Sequence, residues 1–212
     1  MRPVSNRNET IRLFDNAFLE YFSHIHPATP FIVFLPAIAF FLFRAEMNLS
    51  FYVVIPLWTL GVLLWTLLEY TMHRFVFHYH PKSDLGKRMV FLLHGVHHDY
   101  PRDATRLVMP LLVSVPLAFF FYFLFYSLFA PYHEALFAGL VSGYLAYDFL
   151  HFAFHHFAMK GRFANYLKVC HLKHHYTDPD SGFGVSSPLW DFVFRTVAKD
   201  IENKEEWQEL TA

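Results

Sequence analysis

The stretch FYVVIPLWTLGVLLWTLLEYTMHRFVFH, residues 51–78, decides how this chain folds. Its first part, 51–68, carries no charge, and a helix needs roughly 20 apolar residues to cross a bilayer core. Glu69, His73, Arg74 and His78 then follow closely. A membrane helix therefore runs out into a polar segment that carries histidine.

Working outward, three more apolar runs appear: ATPFIVFLPAIAFFLF at 28–43, LVMPLLVSVPLAFFFYFLFYSLFA at 107–130, and ALFAGLVSGYLAY at 135–147, which continues to residue 157. The first contains Pro30 and Pro36, which a membrane helix tolerates where neighbours re-satisfy its backbone. The fourth carries Asp148 and three histidines at its end. The competing reading, buried helices of a soluble protein, fits poorly. Only 17% of residues are charged, against about 25% in soluble domains, and 20% are aromatic, with 27 Phe. The expected architecture is all-α and integral to a membrane. It is one domain over 1–212, with four membrane helices at about 28–43, 51–68, 107–130 and 135–157.

The short connections 44–50 and 131–134 pair these helices into two hairpins. Of the 17 Lys and Arg, Arg44 alone lies in such a connection. The rest fall in the N-terminal segment, in 70–106 and after 158, which the positive-inside rule assigns to the cytoplasmic side. The hairpins then dip into the membrane, and a helical cap containing 70–106 and 151–196 faces the cytoplasm. The N-terminus does not read as a secretory signal, because Glu9, Asp15 and Glu20 precede the first apolar run. A net charge of -1 gives no reason to expect a nucleic-acid partner.

With fifteen histidines and one cysteine, Cys170, histidine must do most of any metal binding. HRFVFH places His73 and His78 five apart. HGVHH supplies His94, His97 and His98. HFAFHH supplies His151, His155 and His156. HLKHH supplies His171, His174 and His175. Residues three and four apart share a helix face, so each H-x-x-H-H box can converge on one point if helical. His73 and His78 share no face of a straight helix, which predicts a helix end or a local distortion. Ten histidines are too many for one ion and suit two; neutral imidazole binds Zn, Cu, Fe and Ni. His24, His26 and His133 lie outside the pattern, and His80 and His156 lie beside it.

Beyond the boxes, EYTMHRFVFH, FLLHGVHHDYPRDATRLVMP, GYLAYDFLHFAFHH and KVCHLKHHYTDPDSGFGVSSPLWDFVF resemble the fatty acid 2-hydroxylase group of the membrane fatty acid hydroxylase and desaturase superfamily, over roughly residues 50–196. The resemblance implies a non-haem dimetal centre held by His73, His78, His94, His97, His98, His151, His155, His171, His174 and His175. The metals would be Fe(2+), with zinc as a substitute in purified protein. It also implies use of O2 and two external electrons to hydroxylate C2 of a fatty acyl chain, free or in a ceramide. Many relatives carry a further histidine where this chain has Cys170. Well-known eukaryotic members carry a cytochrome b5 domain; no HPGG haem motif and no GxGxxG fingerprint occur here. A separate electron donor of the cytochrome b5 or ferredoxin type, with its reductase, is expected. The expected location is a bacterial inner membrane, with the endoplasmic reticulum as the alternative.

Metal-bound histidines usually donate their other N–H to a neighbour. Asp148, a carboxylate at the end of a membrane run, is the first candidate for that role. Glu69, Asp103 and Asp191 are weaker ones. Arg106 can face a lipid or substrate head group, or simply snorkel. The GFG turn at 182–184, with Trp190 and Phe192, can cover the site. Two other readings stay open: a related oxygenase or desaturase acting on a sterol, a carotenoid or another lipid, and a non-catalytic membrane metal-binding protein.

Overall fold

The computed structural model describes residue 5 and residues 7–197. All regular elements among them are helical. In chain order they are α1 (Ala17–Phe22), α2 (Thr29–Asn48), α3 (Phe51–Met72), a π-helical turn (His73–Phe77), α4 (Asp84–Val90), a second π-helical turn (Phe91–Gly95), α5 (Val96–Asp99), α6 (Leu111–Phe129), α7 (His133–His156), α8 (Arg162–Tyr176) and α9 (Leu189–Phe194). Among the described residues, four helices are long and apolar enough to cross a membrane: Thr29–Asn48, Phe51–Phe77, Leu111–Phe129 and His133–His156. These are the four expected from the apolar runs, with shifted edges. α2 continues past residue 43 through Arg44–Asn48, where Arg44, Ala45, Glu46 and Met47 are good helix formers. α6 starts at Leu111, after Pro110, whose ψ of 143° is still extended.

The chain divides into two compact units, one of residues 12–65 and 104–148, the other of 1–11, 66–103 and 149–212. The first is the membrane-type unit. α7 is its centre: Ala135, Leu136, Ala138, Leu140, Val141 and Tyr144 are all buried. Its small residues permit close approach, the usual device for packing helices in lipid. A Cβ added at Gly139 would lie 2.0 Å from the Trp58 carbonyl, and one at Gly61 would lie 2.2 Å from the Leu136 carbonyl. The Trp58 indole N–H donates to Ser142 Oγ at 3.1 Å beside this crossing. α6 is the opposite case, with Phe119, Phe120, Phe123 and Leu128 turned outward. An apolar exterior of that kind requires hydrocarbon around it. At the hairpin ends Arg44 Nε pairs with the Glu134 carboxylate at 2.8 Å, so the one basic residue of those connections is neutralised.

The second unit holds the π turns, α4, α5, α8 and α9, and its interior combines buried histidines with hydrophobic residues such as Phe154, Leu167, Val169 and Val185. Its largest fully buried side chains include Tyr70, Phe154, His171 and His174.

Candidate metal centre

The five-residue spacing of His73 and His78 has a direct structural cause. Residues 73–77 form a π-helical turn, and the His78 N–H bonds to the His73 carbonyl at 3.1 Å, five residues back. The wider turn brings the two rings onto one side, with centroids 5.0 Å apart. A second π turn over 91–95 sets the ring of His94 before α5 presents His97 and His98. Single π turns recur at functional sites because they rotate side chains out of α register.

The ten histidines resolve into two groups of five. His73, His78, His94, His98 and His174 form the first. His97, His151, His155, His171 and His175 form the second. Within each group one ring nitrogen per residue lies within 4.8 Å of every other. The two H-x-x-H-H boxes therefore do not each converge on one point. Each splits: His94 and His98, four apart, serve the first group while His97 serves the second, and His171 and His175 serve the second while His174 serves the first. Adjacent helical residues point in different directions, whereas i and i+4 share a face. One box thus supplies two ligand atoms to one group and one to the other, and the second box does the reverse. His80, His156 and Cys170 belong to neither group.

The nitrogen contacts show what such a pocket accepts. His94 Nε2 faces His73 Nε2 and His98 Nε2, both at 3.0 Å. His174 Nε2 faces His78 Nε2 at 3.0 Å. In the second group His97 Nε2 and His151 Nε2 are 2.7 Å apart, and His155 Nε2 and His171 Nε2 are 2.8 Å apart. His73 Nδ1 lies 2.7 Å from the Phe183 carbonyl and His174 Nδ1 lies 2.7 Å from the Ser181 carbonyl. A carbonyl only accepts, so these two Nδ1 atoms carry the proton and both Nε2 atoms present lone pairs inward. Converging lone pairs in a buried pocket call for a cation. Protons do not meet that need. Burial first, and then the neighbouring imidazoles, hold His94, His97, His171, His174 and His175 well below the usual histidine range. Burial takes His98 down to about 3 and His78 to about 4. Neutral imidazoles are the form that ligates metal, so the residues present fit two metal ions.

The carbonyls of Ser181 and Phe183 were not foreseen from the sequence, since any residue has one. They belong to a loop held from two sides. The Glu69 carboxylate accepts from the Val185 and Ser186 N–H groups at 2.6 and 2.8 Å, and from the Ser186 hydroxyl. The Asp191 carboxylate accepts from Phe183 N–H at 3.0 Å, Gly184 N–H at 2.8 Å and the Thr196 hydroxyl at 2.8 Å. Gly182 takes φ +67°, which favours glycine. Glu69 and Asp191 thus act on the histidines through the loop they clamp. Phe183 itself, rather than Trp190 or Phe192, walls the first group, with its ring 5.6–5.8 Å from those of His73, His78 and His174. Trp190 donates to Thr66 and stacks on Phe194, and Phe192 is exposed.

The remaining candidates have other surroundings. Asp148 is buried in the membrane-type unit, where its carboxyl neighbours Tyr144 and the Met109 backbone. Asp103 is buried. Arg106 binds within the chain, to Glu20, Ser23 and His24. Burial pushes the Cys170 thiol up to about 11, against ligation as thiolate. The two groups also differ in access. Every histidine of the second is buried, whereas His78 and His98 are partly exposed. A cavity of about 530 Å³ opens beside them, lined by His78, His94 and His98 with Phe77, Phe91 and Lys87.

The chain is similar to known proteins. The family model described as fatty acid hydroxylase matches residues 58–196. A dihydroceramide fatty acyl 2-hydroxylase of Arabidopsis thaliana is 36% identical over 199 residues, covering 92% of this chain and 83% of its own. A ceramide very long chain fatty acid hydroxylase of Saccharomyces cerevisiae is 41% identical, covering 78% of this chain and 44% of its own. A fatty acid 2-hydroxylase of Rattus norvegicus is 43% identical, covering 68% of this chain and 40% of its own. Among solved structures, full-length Scs7p, of which only the hydroxylase domain is visible, superposes with a TM-score of 0.81 at 40% identity, covering 87% of this chain and 71% of that one.

Proposed function

The chain belongs to the fatty acid hydroxylase family, and on that premise we propose that it is a membrane monooxygenase that hydroxylates C2 of a fatty acyl chain. The acyl chain is free or carried in a ceramide, and the reaction uses O2 and two external electrons. The observation that carries this reading is the pair of five-histidine groups with converging ring nitrogens.

In this reading His73, His78, His94, His98 and His174 hold one ion, and His97, His151, His155, His171 and His175 hold the other. Two redox-active ions, iron in our assignment, supply the dioxygen activation that no side chain provides. The chain's own residues supply order and exclusion. The Ser181 and Phe183 carbonyls fix the tautomers of His174 and His73. Glu69 and Asp191 hold the loop that carries those carbonyls. Burial keeps the imidazoles neutral, and Phe183 and Phe77 pack against the rings of the first group. Asp148 is retained as a positioning residue ahead of His151. A donor of the cytochrome b5 or ferredoxin type delivers electrons from the cytoplasmic side, where the distribution of Lys and Arg puts the histidines.

The test is lipid mass spectrometry of cells that express the chain with a matched donor, after total hydrolysis of the lipids. The expected result is a 2-hydroxy acyl species that disappears in both His97→Ala and His174→Ala. Hydroxylation at another carbon, or a new double bond, overturns the C2 assignment while keeping an oxygen-activating centre.

A further inference from the structure

α1 is built inside out. Phe18 is 64% exposed, Leu19 45%, Tyr21 75% and Phe22 38%, whereas the acidic residue of the helix, Glu20, turns inward with 18% of its side chain exposed. The Phe18 and Phe22 rings lie 4.7 Å apart, and Tyr21 meets Phe22 edge-on at 5.3 Å, so the three aromatic side chains form one continuous outer surface, with Leu19 exposed on the same short helix. In water the burial pattern would reverse, because apolar area is driven inward and carboxylates outward.

The inward side is a polar latch. Glu20 accepts the N–H groups of Leu13 and Phe14, both at 2.9 Å. Arg106 Nη2 donates to Glu20 Oε1 at 2.8 Å and to Ser23 Oγ at 3.3 Å, and it also meets His24 Nε2 at 2.8 Å. His24 Nδ1 reaches Thr105 Oγ1 at 2.8 Å, and the Ile25 N–H bonds to the Thr105 carbonyl at 2.9 Å. The Arg106 side chain is 4% exposed. Burial raises the Glu20 carboxyl, but the backbone donors, His24 and Arg106 outweigh it and hold the group at about 2, so the latch contains an ionised pair. Arg106 is thereby used inside the protein rather than on a head group or in snorkelling.

Position decides what covers the apolar side. Six residues separate α1 from the membrane helix that starts at Thr29, and Arg106 lies five residues before the one that starts at Leu111. α1 is tied to the entry points of two candidate membrane helices, where the lipid head groups would lie. Aromatic residues concentrate at that level in membrane proteins, and short apolar faces bind there by burial at the head-group and acyl boundary.

We propose that α1 is an interfacial anchor: Phe18, Leu19, Tyr21 and Phe22 insert into the boundary between head groups and acyl chains, and the Arg106–Glu20–His24 latch holds the helix in that plane. The partner is the bilayer itself. The inference rests on this surface and not on the chemistry assigned to the histidines.

Cys170 is the only cysteine and is buried, so Tyr21→Cys accepts a bimane label selectively in the full-length protein. The labelled protein would be placed in phosphatidylcholine nanodiscs. Quenching by aqueous iodide would be compared with quenching by lipids spin-labelled on the head group, high on the acyl chain or near its end. The proposal expects a blue-shifted emission, strong loss to the head-group and upper-chain labels, and little loss to iodide. Strong iodide quenching overturns it, and so does protection from every quencher, which would mean that the chain or a second copy covers α1. Strongest quenching by the chain-end label overturns the interfacial depth. In an Arg106→Gln background, iodide quenching should rise and lipid quenching fall; unchanged quenching overturns the latch.

Discussion

At Gly184 an added Cβ would meet the Ser187 carbonyl at 2.1 Å and the Asp191 carboxylate at 2.8 Å. Gly184→Ala must therefore displace the loop whose carbonyls orient His73 and His174. Loss of an outer partner typically costs 10–100-fold in metal affinity. The expected outcome is roughly that loss in a metal titration, with helical content unchanged by circular dichroism. Glu69→Gln removes the charge that anchors Val185 and Ser186 from the other side, and it should weaken affinity by a similar order. Unchanged affinity in both variants would remove the loop from the account. The sequence showed the ten histidines plainly, because their clustering is improbable. It could not show how they divide, since His97 and His98, or His174 and His175, look alike until their helix directions are known. Backbone carbonyls leave no residue-specific mark, so the partners of His73 and His174 were invisible. Glu69 and Asp191 were visible only as weaker candidates for orienting a metal-bound histidine.

The π turn at 73–77 is the clearest case of an element written into spacing. Two histidines five apart serve one point only if the helix widens by a residue, and the sequence predicted a distortion there without specifying its kind. Inserting an alanine after Val76 should place the two histidines six apart, off any shared helix face, and swing His78 out of the first group. The second group draws nothing from this turn. Metal analysis of the purified variant should fall from two ions per chain to one; retention of two would deny the turn its role. The membrane helices were legible by length and apolar content. Their ranking was not, because α6 and α7 both read as apolar while only α7 is central. Its small residues, Ala135, Ala138, Gly139, Ser142 and Gly143, were the available signal. Gly139→Leu would overpack the crossing with α3 at Trp58, at a cost of about 1–3 kcal/mol. A lowered unfolding temperature in detergent is the expected reading.

Across the whole molecule, the proposed topology rests on charge. Arg44 is the only Lys or Arg in the short connections, so the account puts Asn48 outside and Lys82 in the cytoplasm. With Cys170 buried, Asn48→Cys should react with an impermeant maleimide on intact cells, and Lys82→Cys only after permeabilisation. The reverse pattern would invert the topology and place the histidines away from a cytoplasmic donor. All-helical membrane architecture was readable from the chain because lipid demands it of any long apolar segment. Substrate identity was not readable in the same way, because no residue pattern encodes the carbon that is attacked. The most direct test of the central claim follows the oxygen atom. Cells expressing the chain and a donor would be grown under 18O2 and their hydrolysed acyl chains analysed by mass spectrometry. The account predicts one 18O atom on C2, absent in His97→Ala and His174→Ala. A 2-hydroxy product without label, or with label that persists in those variants, would contradict it.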